Sequence, residues 1–309
     1  MKKLILLVSI LVVSGCVGMP DIFNLSGTQK TKVKEQPLDV ITVQNINTLP
    51  KPPINAADEF SISFDVTNLE EERDVKEVGY KLLDIGLCTW ISGDNKTKNF
   101  TTASSPFVPK QDEFVEWTFK APNAEDLAYI NSKCPVRFKV SYSFDAISEI
   151  EVDVISVDKY NQLQQSGEFQ TFVPTLSLGR GPLRIMMEFG ASQPIKTDTI
   201  LPIYVTVEDK GTGLYATVPK NALTLTVPTG FSWGGASSCG ERFECPTEKL
   251  CYNKEEITMI ERKSPTFRCS LTTPSSSSVA IEKVYNIEAA LNYTYDITNQ
   301  VDVDIKTIL

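Results

Sequence analysis

The feature that most constrains this chain is that it repeats itself once. Val140-Ser141-Tyr142-Ser143-Phe144-Asp145 aligns without a gap to Leu291-Asn292-Tyr293-Thr294-Tyr295-Asp296. The register runs on from Ile150-Glu151-Val152-Asp153-Val154 to Val301-Asp302-Val303-Asp304-Ile305. Both copies alternate apolar and polar residues, the period of a half-buried strand. Each reads as a hairpin: a strand with aromatics on one face, a short polar turn, and a second alternating strand. A slip of one residue would exchange the two faces, so shared register implies shared packing. Upstream, Ile62 to Asn68 parallels Ile203 to Asp209, each run ending in a turn former. Pro37-Leu38-Asp39-Val40-Ile41 parallels Pro182-Leu183-Arg184-Ile185-Met186, and each is followed by a proline-bearing stretch, 50–54 and 193–195.

The two units run over 37–158 and 182–309. Each holds many short strands separated by turn signals, which predicts an all-β chain with two antiparallel β-sandwiches in tandem. Residues 159–181 carry Gln162, Gln164, Gln165, Ser166 and Gly167 and read as an interdomain link. A single short helix is expected, from Asn123 to Ser132 after Pro122, as a connection. Ser275 to Ser278 reads as a loop within the second unit.

The N-terminus has the layout of an export signal. Lys2 and Lys3 precede an apolar run from Leu4 to Val13, and small residues follow. About ten apolar residues fall short of the roughly twenty that span a bilayer. Val13-Ser14-Gly15-Cys16 resembles the lipobox of prokaryotic lipoproteins, with Val13 standing where Leu is more typical. That resemblance implies a signal peptide over 1–15, a lipidated Cys16 and a flexible spacer over 16–36 with Lys30, Lys32 and Lys34. It also implies the two or three acyl chains that make an anchor stable. Without the lipobox, the same residues read as an ordinary cleaved signal. No other run is long and apolar enough to cross a membrane, so the expected arrangement is a chain outside the membrane, tethered at one end. The net charge of −9, with no long basic run, argues against nucleic acid and against adhesion to anionic lipid by charge.

Seven cysteines are present. With Cys16 assigned to lipid, Cys88, Cys134, Cys239, Cys245, Cys251 and Cys269 form an even set, which reads as disulfides in an exported chain. Cys88 with Cys134 and Cys239 with Cys269 hold similar places in the repeat and are expected as related staples, with Cys245–Cys251 closing a small loop. Four cysteines in the second unit allow three pairings. Zinc is the rival, but the spacing Cys-x5-Cys-x5-Cys is wider than structural zinc sites use, and the chain has no histidine. Asn24, Asn95, Asn99 and Asn292 each open an Asn-x-Ser/Thr site for glycosylation. Asn95 and Asn99 share a polar loop, whereas Asn292 sits in an expected strand and needs an outward face. A lipobox together with usable sequons points to an archaeal source.

The opening and turn residues resemble those of the immunoglobulin-like domains found in tandem on archaeal and bacterial surface proteins, including the CARDB type. Leu38-Asp39-Val40 matches the start of that type and Asp209-Lys210-Gly211 its Asn-x-Gly turn, while Asn68-Leu69-Glu70 departs by lacking the Gly. The resemblance implies tandem immunoglobulin-like sandwiches on a surface protein, and no cofactor is expected.

The sequence carries no complete catalytic pattern. Without histidine the commonest general base and metal ligand are gone. Gly-x-Ser-x-Gly, phosphate-loop and EF-hand patterns are absent. Ser156-Val157-Asp158-Lys159 fits Ser-x-x-Lys but lacks the partner motifs. Glu70, Glu71, Glu72 and Asp74 around Arg73 read as a solvated turn, and Asp302 and Asp304 as the outer face of a strand. Acidic clusters at sandwich ends suit calcium in kind, but no ligand set is defined, so no metal is assigned. Trp90 beside Cys88 suits a tryptophan packed on a disulfide, and Trp117 suits a core. Trp233, next to Gly234-Gly235, is weighed between core packing and a ligand contact to a sugar or a partner. The expectation is a non-enzymatic, membrane-anchored surface protein acting as a structural or interaction module. Its partners would be envelope proteins, glycans or further copies of itself, and not nucleic acid.

Overall fold

The computed structural model describes residues 31–35, 38–71, 73–93, 97–100, 111–128, 131–234 and 238–307. Cys16, Asn24 and Asn95 lie outside the described residues. The described residues are mostly β, with strands over 59% of them and one helix. The first half contains β1 (Lys32–Glu35), β2 (Ile41–Leu49), β3 (Ile54–Asn55), β4 (Glu59–Asn68), β5 (Val75–Asp84), β6 (Thr89–Gly93), β7 (Thr97–Phe100), β8 (Asp112–Lys120) and β9 (Ser132–Ile155). Helix α1 (Val157–Ser166) follows. The second half contains β10 (Thr175–Leu178), β11 (Leu183–Phe189), β12 (Ile195–Lys196), β13 (Ile200–Asp209), β14 (Thr217–Val218), β15 (Leu223–Thr226) and β16 (Ser232–Trp233). It ends with β17 (Phe243–Glu244), β18 (Leu250–Asn253), β19 (Ile257–Thr258), β20 (Phe267–Thr272) and β21 (Glu282–Lys306).

The repeat is visible in the pairing of its main strands. A four-stranded sheet β2-β4-β8-β6 in the first half is matched by β11-β13-β20-β16 in the second. Within the large sheet, β9-β5-β7 is matched by β21-β15-β18. Each small sheet packs face to face on the large one. In the first half Phe64 of β4 stacks on Phe138 of β9 at 4.5 Å, and Trp117 of β8 meets the same ring edge-on at 5.2 Å. In the second, Phe267 of β20 meets Phe243 of β17 at 5.1 Å. The alternation read from the sequence sets these faces: Phe60, Ile62, Phe64 and Val66 are all buried on one side of β4.

Three expectations change. The closing segments are not hairpins. β9 and β21 each run unbroken and pair with each other along their length, from Ser132 opposite Ile305 to Ile155 opposite Glu282. The polar run taken for a turn keeps its alternation, with Ala146 and Ser148 small enough to stay buried between outward Asp145, Ile147 and Glu149. No glycine or proline interrupts it. Of the expected helix over 123–132, the described residues 123–128 form a single turn in which Leu127 donates to the Asn123 carbonyl. The true helix lies in the expected link and starts at Ser156, whose hydroxyl accepts from the Lys159 amide, so the Ser-x-x-Lys pattern is an N-cap. The end of the expected flexible spacer forms β1, paired in parallel with β10.

The antiparallel ladder makes the halves face each other about a pseudo-two-fold axis. Ser143 sits opposite Thr294, its own counterpart in the repeat. Tyr142 pairs with Tyr295, and by the same symmetry Phe144 pairs with Tyr293. The exchange is reciprocal at the ends: β3 of the first half pairs with the end of β21, and β12 of the second with the end of β9. The opening strands also shift by three residues from the sequence alignment. Ile41 opposes Asn68 as Leu183 opposes Asp209, so Ile41, not Leu38, is the counterpart of Leu183.

Candidate interaction surface

The ladders make Trp90 and Trp233 counterparts. Trp90 of β6 opposes Phe119, and Trp233 of β16 opposes Leu271, at matched places in the two small sheets. Their surroundings differ. Trp233 is 3% exposed. Its amide donates to the Glu248 carbonyl, so the segment leading into β18 closes the free side of β16. Trp233 is therefore core, and the ligand contact considered for it is not available on the surface. Trp90 is 44% exposed, on a strand whose residues all face solvent to a large degree. Its indole N–H donates to the Ser92 carbonyl at 2.9 Å, which holds the ring along its own strand. Leu83, Leu87 and Ile91, close to it in the chain, are also exposed. So the expectation that Trp90 packs on a disulfide in the core is corrected as well. The signal that could have exchanged the two tryptophans was the extra sequence between Trp233 and β18.

The sulfurs of Cys88 and Cys134 lie at disulfide distance, as do those of Cys239 with Cys269 and Cys245 with Cys251. The first two bridges are not equivalent. The place of Cys88, two residues before Trp90, is taken in the second half by Phe231. The place of Cys134 in β9 is taken by Tyr285 in β21. Phe231 and Tyr285 pack edge to face at 5.1 Å, so an aromatic pair stands where the first half has a disulfide. Cys269 in turn stands where the first half has Trp117, since it opposes Ile203 as Trp117 opposes Ile62. The sulfurs of Cys239, Cys245 and Cys251 lie within 4.8 Å of one another, so the two bridges of the second half are neighbours.

Asn292 is exposed on the outer face of β21, where its amide donates to Asp145 at 2.7 Å. Asn99 is exposed on β7 and accepts from the Glu77 amide. Asp302 and Asp304 face outward. The run at 70–74 is not uniformly solvated: Glu70 is 5% exposed, with Arg73 and Arg180 beside it. Asp153 is buried next to Glu282, and burial together with that carboxyl raises its pKa to about 7. Asp209 is buried too, its oxygens taken by Arg262, Tyr295 and the Gly211 amide. Among the described residues no helix is long and apolar enough to cross a membrane.

No protein-family model matches the chain, and no curated protein matches it. Among solved structures, red sea bream transglutaminase aligns with 88% of this chain and 32% of its own length, at 8% identity and a TM-score of 0.17. A likeness at that level carries no argument about fold or activity.

Proposed function

We propose that this is a non-enzymatic surface lipoprotein, exported and held by lipid on Cys16, whose two immunoglobulin-like sandwiches form one interaction module. The observation that carries the reading is the exposed Trp90 edge. One tryptophan position occurs twice in the molecule and is covered in one half and bare in the other. An exposed aromatic with apolar neighbours, on a strand that is an edge among the described residues, suits β-strand addition by a partner. The reading is further supported by the signal-like start, by six cysteines at disulfide distance and by the long ladder that ties the halves into a stiff body. The partner is an envelope protein, with an archaeal host in view of the sequons on exposed Asn99 and Asn292.

A photo-crosslinking residue placed at Ile91 in the producing cell tests this. The expected result is a discrete heavier species from Ile91 and none from exposed Val284, which lies on the far ladder. A species at twice the monomer mass would identify a second copy as the partner and favour a filament or layer. Equal and diffuse products from both positions would refute the assignment of the edge.

A further inference from the structure

A second site lies away from the Trp90 edge, in a cavity of about 530 Å³ lined by Glu70, Arg73, Glu149, Ser177 and Arg180. We propose that this cleft binds the terminal carboxylate of an amino acid or peptide. It forms where β10 and its continuation to Arg180 are added beside β9; among the described residues no strand pairs with β21 at the matching place, 299–301, on that side. There the equivalent of Glu70 is Gly211, by the shared Asx turns: Asn68 accepts from the Glu70 amide and Asp209 from the Gly211 amide. A side chain at Gly211 would run into Pro182 and the Tyr295 hydroxyl at 2.4 Å, and Arg262 fills the space with bonds to the Gly211 and Gly213 carbonyls. The second half is closed at this place and the first half is open.

The charges around the opening define the ligand. Oε2 of buried Glu70 lies 3.9 Å from both Arg73 Nη2 and Arg180 Nε, beyond hydrogen-bond reach but close enough to compensate one positive charge. Each guanidinium is anchored by a backbone carbonyl: Arg73 donates to Asp145 at 2.8 Å and Arg180 to Leu69 at 2.6 Å. Arg73 also lies over the Phe144 ring at 4.3 Å. A guanidinium has five donors, of which each anchor uses one, and both arginines line the cleft. The planar fork matches a carboxylate. Two arginines against one buried glutamate leave a single positive charge inside, while exposed Glu71 and Glu149 make the rim acidic. A dianionic phosphate would meet three carboxylates. A monoanionic carboxylate that carries an ammonium or amide donor behind it meets the arginines inside and the glutamates at the rim.

The inference does not rest on export or on the Trp90 edge. Calorimetric titration of the full chain in non-ionic detergent tests it, with a tripeptide, its C-terminal amide, a free amino acid and inorganic phosphate as probes. The expected result is binding of the free-acid tripeptide with Kd at or below about 1 mM, and binding of the amide at least about tenfold weaker. A free amino acid that binds as tightly as the tripeptide marks an amino-acid site, and weaker binding marks a chain end. Arg180→Gln is expected to lose about tenfold or more in affinity, measured on protein shown to be folded. If that variant fails to fold, Ile147→Trp fills the same cleft from β9 and is expected to abolish binding. Equal binding of acid and amide, preference for phosphate, or no binding of any probe would overturn the proposal.

Discussion

The pairing of Cys88 and Cys134 offers a perturbation whose answer is written elsewhere in the molecule. The bridge closes a span of 46 residues between the loop before β6 and the start of β9. In the chain-entropy account that closure removes about 4 kcal/mol of freedom from the unfolded chain, a ceiling that residual structure lowers. The second half does without it by packing Phe231 against Tyr285 at the same two places. An aromatic pair of this geometry contributes about 0.5–1.5 kcal/mol beyond its burial. Two double variants follow. Cys88→Ala with Cys134→Ala should lose about 2–4 kcal/mol. Cys88→Phe with Cys134→Tyr should recover at least about 1 kcal/mol of that loss. Urea unfolding followed by tryptophan fluorescence, with linear extrapolation, reads both values. A loss below about 1 kcal/mol in the alanine pair would mean the bridge does not constrain the unfolded chain. An aromatic pair less stable than the alanine pair would refute the equivalence of the two positions.

Further outcomes follow from single residues. Trp90→Phe should remove the red-shifted, iodide-quenchable part of the emission, and Trp233→Phe should leave it; the reverse would contradict the assigned burial. Trp117→Ala should cost about 3–5 kcal/mol, because the ring is 1% exposed between Phe64 and Phe138. Asp153 titrates near 7 in the folded chain, raised from 3.8, so its contribution to stability is present below pH 4 and lost as pH rises through about 7. Asp153→Asn should therefore stabilise the protein at pH 8 relative to pH 5, by at most about 3 kcal/mol against the parent. A parent whose stability relative to the variant does not fall with pH would contradict the buried carboxyl pair.

Much of the β framework was legible from alternation alone. Ile62 to Val66 and Ile203 to Val207 fall on the buried face as the period requires. The repeat also located the strands that dominate the molecule. What it could not supply was their length and partner. Ala146 to Glu149 looks like a turn because it is polar, yet small Ala146 and Ser148 fit the buried face and extended pairing continues. Pairing between residues so distant in sequence leaves no local trace. The helix at 157–166 was hidden because its residues are all at least partly exposed and give no apolar stripe. The fate of the tryptophans was decided by segments outside the repeat, since Trp233 is covered by the backbone at Glu248 and Trp90, 44% exposed, by no equivalent strand among the described residues. The cleft at Arg180 escaped for a related reason: Glu70 and Arg180 lie on opposite sides of a long stretch of sequence and meet only once β10 joins β9.

The proposal of a tethered, disulfide-stapled surface module is tested most directly by intact mass of the protein extracted from its native membrane, before and after reduction. The account predicts loss of residues 1–15, added lipid on Cys16 and a gain of six hydrogens on reduction. An unprocessed N-terminus with free thiols would contradict it and would place the work of this fold inside the cell.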